Sequence, residues 1–191
     1  MPSPELVCTP AQTVGPFFGL GLPFPSDSAL VGADAPDAVE LHGAVYDGAG
    51  VMVPDALVEI WQPDPTGGIP RAPGSLRRDG RSFTGWGRAA TDTDGHYRFI
   101  TVPPGPVNPG RPAYFAVTVF ARGLLQGLFT RAYLPGGEIA SDPLLSNLDP
   151  DRRGTLLCIA ERHSGRTRYR FDIHLQGPNE TVFLAYRDRR R

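Results

Sequence analysis

Four histidines, two cysteines, 20 acidic residues and 19 basic ones carry whatever ionic or metal chemistry this chain can perform. The histidines are His42, His96, His163 and His174. No two stand at i, i+2 or i, i+4, the spacings that put two imidazoles on one face of a strand or helix, so there is no local metal pair. His42 and His174 fall in strand-like runs, where a hydrogen-bonded structural histidine is expected. His96 follows Gly95 and His163 precedes a turn, both surface settings. Every basic residue is arginine. Without a lysine amine, neither Schiff-base chemistry nor a phosphate-binding P-loop is available. Cys8 and Cys158 form no C-x-x-C pair, so zinc-ribbon and dithiol redox chemistry are excluded and two free thiols in a reducing compartment are expected. No G-x-S-x-G is present. Asp92 and Asp94 flank a glycine turn, where aspartate serves local hydrogen bonding. Arg122 in F-A-R-G ends a strand-like run as a lone, permanent planar cation, a setting in which a surface arginine is the ordinary case.

The elements that must position these groups read as strands. The 23 glycines and 21 prolines are spread along the chain and punctuate many short apolar runs. Strand patterns occur at 41–47, 53–62, 88–93, 96–102, 113–121, 128–134, 155–161, 167–176 and 181–186, with one helical turn at 149–153. Asp94-Gly95 is a hairpin signal between its two flanking strands. In 57–62 apolar residues occupy both parities, which predicts a strand buried on both faces or at an interface. In 168–175, Tyr169, Phe171, Ile173 and Leu175 alternate with Arg168, Arg170, Asp172 and His174. The expected fold is all-β, a two-layer β-sandwich with an irregular N-terminal arm and long loops. In the arm, Pro10, Pro16 and Pro23 forbid a long helix, and Phe17, Phe18 and Phe24 must pack on the domain or on a partner. The stretch 63–82 is a loop long enough to be functional or an interface.

A formal net charge of -1 gives no reason to expect nucleic acid or an anionic membrane as partner. No apolar run approaches ~18 residues, and residues 1–12 lack the basic-then-apolar pattern of a leader. A cytoplasmic protein is expected.

Four separated motifs, L-H-G-A-V-Y-D-G-A-G (41–50), V-E-I-W-Q (58–62), G-R-A-A-T-D-T-D-G-H-Y-R-F (87–99) and P-G-P-V-N-P-G-R-P-A (104–113), resemble those of the intradiol ring-cleavage dioxygenases. Those are non-haem ferric enzymes that open catechols between the two hydroxyl-bearing carbons. The segments T-P-A-Q-T-V-G-P-F-F (9–18) and Y-R-F-D-I-H-L-Q-G-P-N-E-T-V-F-L (169–184) narrow the resemblance to the chains of that family that carry no iron. The family's metal is held by two tyrosines and two histidines. One tyrosine follows the W-Q motif, where this chain has Gly67-Gly68-Ile69-Pro70; the other follows P-G-P, where it has Val107. The histidines form R-P-x-H-x-H, where it has Tyr114 and Ala116. Stretch 101–123 thus has the frame of a metal segment without its ligands.

The resemblance implies no catalytic residue and no metal ligand in this chain, which is expected to be inactive alone. Non-haem Fe(III) would be held by a homologous β chain in an α/β hetero-oligomer, with a catechol bearing a ring carboxylate and O2 as substrates. This chain would contribute Thr13, Gly15, Pro16 and Arg122 to that substrate pocket, with Arg131 the rival of Arg122. The implied organisation is an arm and loop at 1–39, a dioxygenase-like β-sandwich at 40–186 and a basic tail at 187–191. The fold alone also allows a non-enzymatic β-sandwich binding module.

Overall fold

The structure, a computed structural model, describes residues 9–15, 17–71 and 82–185. Cys8, Pro16, the 72–81 part of the expected loop and the tail at 187–191 lie outside the described residues. Among the described residues nine strands form two sheets: β1 (Val39–Tyr46), β2 (Leu57–Trp61), β3 (Trp86–Ala90), β4 (His96–Thr101), β5 (Tyr114–Phe120), β6 (Leu128–Tyr133), β7 (Ile159–His163), β8 (Arg166–Arg170) and β9 (Ile173–His174). The helices α1 (Phe18–Gly21), α2 (Pro143–Ser146) and α3 (Pro150–Gly154) are single turns. One sheet runs β4-β1-β8-β7, with β9 continuing along β1; the other runs β3-β2-β5-β6. This is the all-β sandwich that the strand spacing predicts.

Period-2 alternation builds the core. Val58 and Ile60 of β2 and Phe115, Val117 and Val119 of β5 face Leu41, Val45, Phe99, Phe171 and Ile173 of the other sheet. Each such burial contributes about 1.5–3 kcal/mol. The other parity of β2 is only partly covered. Leu57 is buried, but Trp61 is 53% exposed, so the strand has one core face and one face that opens at its Trp61 end.

The alternating run at 168–175 keeps its buried parity but breaks between β8 and β9. Phe171 donates its N–H to the His42 carbonyl, the Asp172 carboxylate accepts the Ala44 N–H at 3.1 Å, and Tyr97 donates its hydroxyl to the Phe171 carbonyl. Gly43 lies opposite this bulge, and a Cβ there would run into the Phe171 carbonyl, so glycine is required by close approach rather than by φ.

Three local expectations differ from the structure. Asp94-Gly95 does form a tight turn, with the Asp92 carboxylate accepting the N–H groups of Asp94 and His96 and Gly95 at φ +75°. It does not join a hairpin, because β3 pairs with β2 while β4 crosses over to pair with β1. At 155–161 only the end is strand. Leu156 is buried in a satellite core with Tyr133 and Leu145, and Cys158 in the main core, while Leu157 makes one isolated parallel bridge to Tyr133. At 181–186, Leu184 makes one isolated bridge to Phe129, and Thr181 and Val182 are tied down by side-chain hydrogen bonds instead.

The strand histidines have structural surroundings. His174 stacks on Tyr46 at 4.7 Å. His42 Nε2 lies 3.4 Å from Glu161, and burial, reinforced by the Arg168 charge, lowers its pKa.

Candidate functional site

The outward face of the β3-β2-β5-β6 sheet carries the first locus. Since Phe115, Val117 and Val119 point inward, Tyr114 and Ala116 point outward. Register places Trp86, Trp61, Ala116 and Arg131 in one row across the four strands, and Tyr114 beside Tyr133 in the next. Arg131 leans over this face. Its guanidinium carbon is 4.3 Å from the Tyr114 ring centre, its Nη1 donates to the Tyr133 hydroxyl at 2.9 Å, and it lies 3.7 Å from the buried Asp142 carboxylate. Burial pushes the Tyr133 phenol up to about 12, an effect only partly offset by Arg131. It therefore remains a neutral phenol at physiological pH.

The two loops beside this face are tightly framed. The buried Gln62 side chain accepts from the Thr101 hydroxyl at 2.6 Å and donates to the Val102 carbonyl at 2.9 Å. The Asp64 carboxylate caps the 64–68 turn by accepting from Thr66 and Gly68, and the Asp64 carbonyl accepts the Gly105 N–H at 2.8 Å. Gly67 sits at φ +90°, where a Cβ would meet the Pro106 carbonyl. The segments 64–68 and 102–107 therefore pack together as a frame. The side chains on that frame do not fit a ferric ion. Ile69 and Val107 are exposed hydrocarbons, Ala116 has no donor atom, and the permanent cation of Arg131 repels another cation. Among the described residues there is no group of three or more His, Cys, Asp or Glu that could hold a metal.

The second locus is at the other end of β5. The Thr13 hydroxyl accepts the Gly123 N–H at 2.7 Å across 110 residues, which joins the N-terminal arm to the turn containing Arg122. Arg122 uses Nε to pair with the Asp55 carboxylate, and its side chain is 58% exposed. Gly15 has open space where a Cβ would stand, and its carbonyl accepts the Phe18 N–H at 3.3 Å. Between arm and turn runs a groove of about 130 Å³ whose walls include Val14, Phe120, Leu124 and Leu125. The structure therefore brings Thr13 and Arg122 together, with Gly15 next along the arm; Pro16 lies outside the described residues. Asp55 leaves no mark in the sequence. An acid in the turn before a strand has no sequence signature that distinguishes it from an ordinary turn residue.

The two loci are far apart. β5 spans 7 residues, so Tyr114 at its start and Arg122 two residues past its end lie roughly 25 Å apart at ~3.3 Å per residue.

This sandwich, with a framed outward sheet face beside Pro/Gly loops, defines a class. A model of the Dioxygenase family matches residues 14–177, and the chain belongs to the intradiol ring-cleavage dioxygenases. Within that family it is 39% identical over 192 residues to the α chain of protocatechuate 3,4-dioxygenase from Burkholderia cepacia, covering 92% of this chain and 96% of that one. The β chain from the same organism is 31% identical over 163 residues, covering 76% of this chain and 67% of that one. Among solved structures, the dioxygenase domain of a dioxygenase–carbohydrate-binding fusion protein from Streptomyces sp. SirexAA-E matches with a TM-score of 0.60. Its identity is 27%, over 88% of this chain and 98% of that one. Among the described residues no helix is long and apolar enough to cross a membrane.

Proposed function

We propose that the chain is the iron-free subunit of a cytoplasmic protocatechuate 3,4-dioxygenase. A homologous β subunit holds the non-haem Fe(III) and, with O2, converts protocatechuate to 3-carboxy-cis,cis-muconate. The observation that carries this reading is the separation of the two loci. Arg122 is at the opposite end of β5 from this chain's own metal-less face, so an arginine serving substrate there serves a pocket on another chain. Arg131 is already engaged by Tyr114, Tyr133 and Asp142, whereas the Arg122 side chain is 58% exposed. Thr13, Gly15, Pro16 and Arg122 then form one wall of the partner's pocket, and the Arg122 guanidinium meets the ring carboxylate.

The chain purified alone is expected to contain no iron and to show no O2 uptake with protocatechuate. The co-purified pair is expected to hold iron in proportion to β chains only. Stoichiometric iron in the lone chain, measured by elemental analysis, contradicts the reading. In the α/β enzyme, Arg122→Ala is expected to raise KM for protocatechuate at least about tenfold, or ~1.4 kcal/mol, with a smaller effect on kcat. Steady-state O2 uptake reads both constants.

A further inference from the structure

Arg122 is a long side chain at a solvated turn, and an unrestrained guanidinium there samples many rotamers. It is instead held by its inner edge. Nε pairs with the Asp55 carboxylate. The side chain is 58% exposed, so the rest of the guanidinium is open to solvent. Asp55 is itself fixed, in the turn that enters β2. A Cβ on Gly19 of α1 would touch its main-chain carbonyl at 3.4 Å, so the arm packs on the Asp55 turn as well as on Gly123 through Thr13. Three segments distant in sequence thus meet around the turn that carries Arg122. A guanidinium gripped through Nε presents its two terminal N–H groups outward as a flat fork, the geometry that takes a carboxylate through two parallel hydrogen bonds.

We propose that Asp55 is the positioning residue of this site, fixing Arg122 so that its outer fork meets the substrate carboxylate. The proposal rests on the reading that Arg122 faces substrate in the partner's pocket. It also assigns Asp55 no general part in folding, because an ion pair between partly exposed side chains adds little stability. Asparagine at 55 retains an oxygen acceptor for Nε, whereas alanine does not.

The test uses the co-expressed α/β enzyme, with protocatechuate and with 4-methylcatechol, which lacks the carboxylate. Asp55→Ala is expected to raise KM for protocatechuate about five- to tenfold, with kcat within about twofold, an unchanged melting temperature and an unchanged KM for 4-methylcatechol. Asp55→Asn is expected to restore KM to the parent value or below it. The double variant Asp55→Ala/Arg122→Ala is expected to be no worse than Arg122→Ala alone, because Asp55 acts through Arg122. If Asp55→Ala yields no complex, Asp55→Glu, which displaces the acceptor by one methylene, is expected to raise KM for protocatechuate in the same selective way. Raised KM in Arg122→Ala with unchanged KM in Asp55→Ala overturns the role of Asp55 and leaves that of Arg122 intact. Unchanged KM in Arg122→Ala overturns both.

Discussion

Arg131→Met is expected to destabilise the chain by about 2–4 kcal/mol. The guanidinium makes three contacts that methionine cannot: the hydrogen bond to the Tyr133 hydroxyl, the face of Tyr114, and the charge of Asp142. Losing the cation leaves Asp142 buried beside a phenol whose own anion is unfavourable. The N–H groups of Leu144 and Leu145 still cap that carboxylate at the start of α2, which keeps the cost below that of a bare buried charge. The stem of methionine refills much of the volume, so the measured loss reports the polar contacts rather than a cavity. Arg131→Lys is expected to recover less than half, since an ammonium cannot lie flat on Tyr114 and reach Tyr133 together. Urea unfolding of the chain, compared at matched m-values, gives the number. A change under about 0.5 kcal/mol shows that the guanidinium is not what holds this face.

The same cluster shows what a sequence conceals. Period-2 alternation and the spread of Gly and Pro specify strands, and they were enough for the sandwich, because which residues face the core is a local property of pleated backbone. They do not specify pairing. Asp94-Gly95 dictates a chain reversal, yet whether the strands beyond it stay together depends on where each finds an apolar counterpart, and here they separate into different sheets. Likewise nothing near Arg131 announces Tyr114. The two meet because Ala116 and Arg131 are register neighbours, a fact fixed by the pairing of β5 with β6. The Thr13–Gly123 and Asp55–Arg122 contacts are longer-range still. The P-G-P and R-P segments could be recognised because a fixed φ and a missing side chain leave a sequence mark, whereas a single carboxylate placed behind an arginine leaves none.

Replacing Phe17, Leu20 and Phe24 together by serine is expected to weaken association with the β partner at least about a hundredfold, or ~2.8 kcal/mol, while leaving the chain itself folded. In the isolated chain Phe17 and Leu20 are 77% and 80% exposed and Phe24 is half exposed. The arm therefore hides few of its apolar groups on its own domain, although it is fastened there through the Thr13 hydroxyl to the Gly123 N–H and through the Leu22 carbonyl to Arg88. An anchored backbone presenting large apolar side chains outward is arranged for a partner, because such side chains bring large area at little further entropic cost. Since these groups contribute little packing at home, serine is expected to change intrinsic stability by less than about 0.5 kcal/mol. Analytical ultracentrifugation of the mixed chains separates the two effects. An unchanged affinity with a lowered melting temperature means that the arm folds back on its own sandwich in solution. A lost complex with an unchanged melting temperature places the interface on the arm, next to Thr13 and Arg122, in keeping with the pocket wall proposed there.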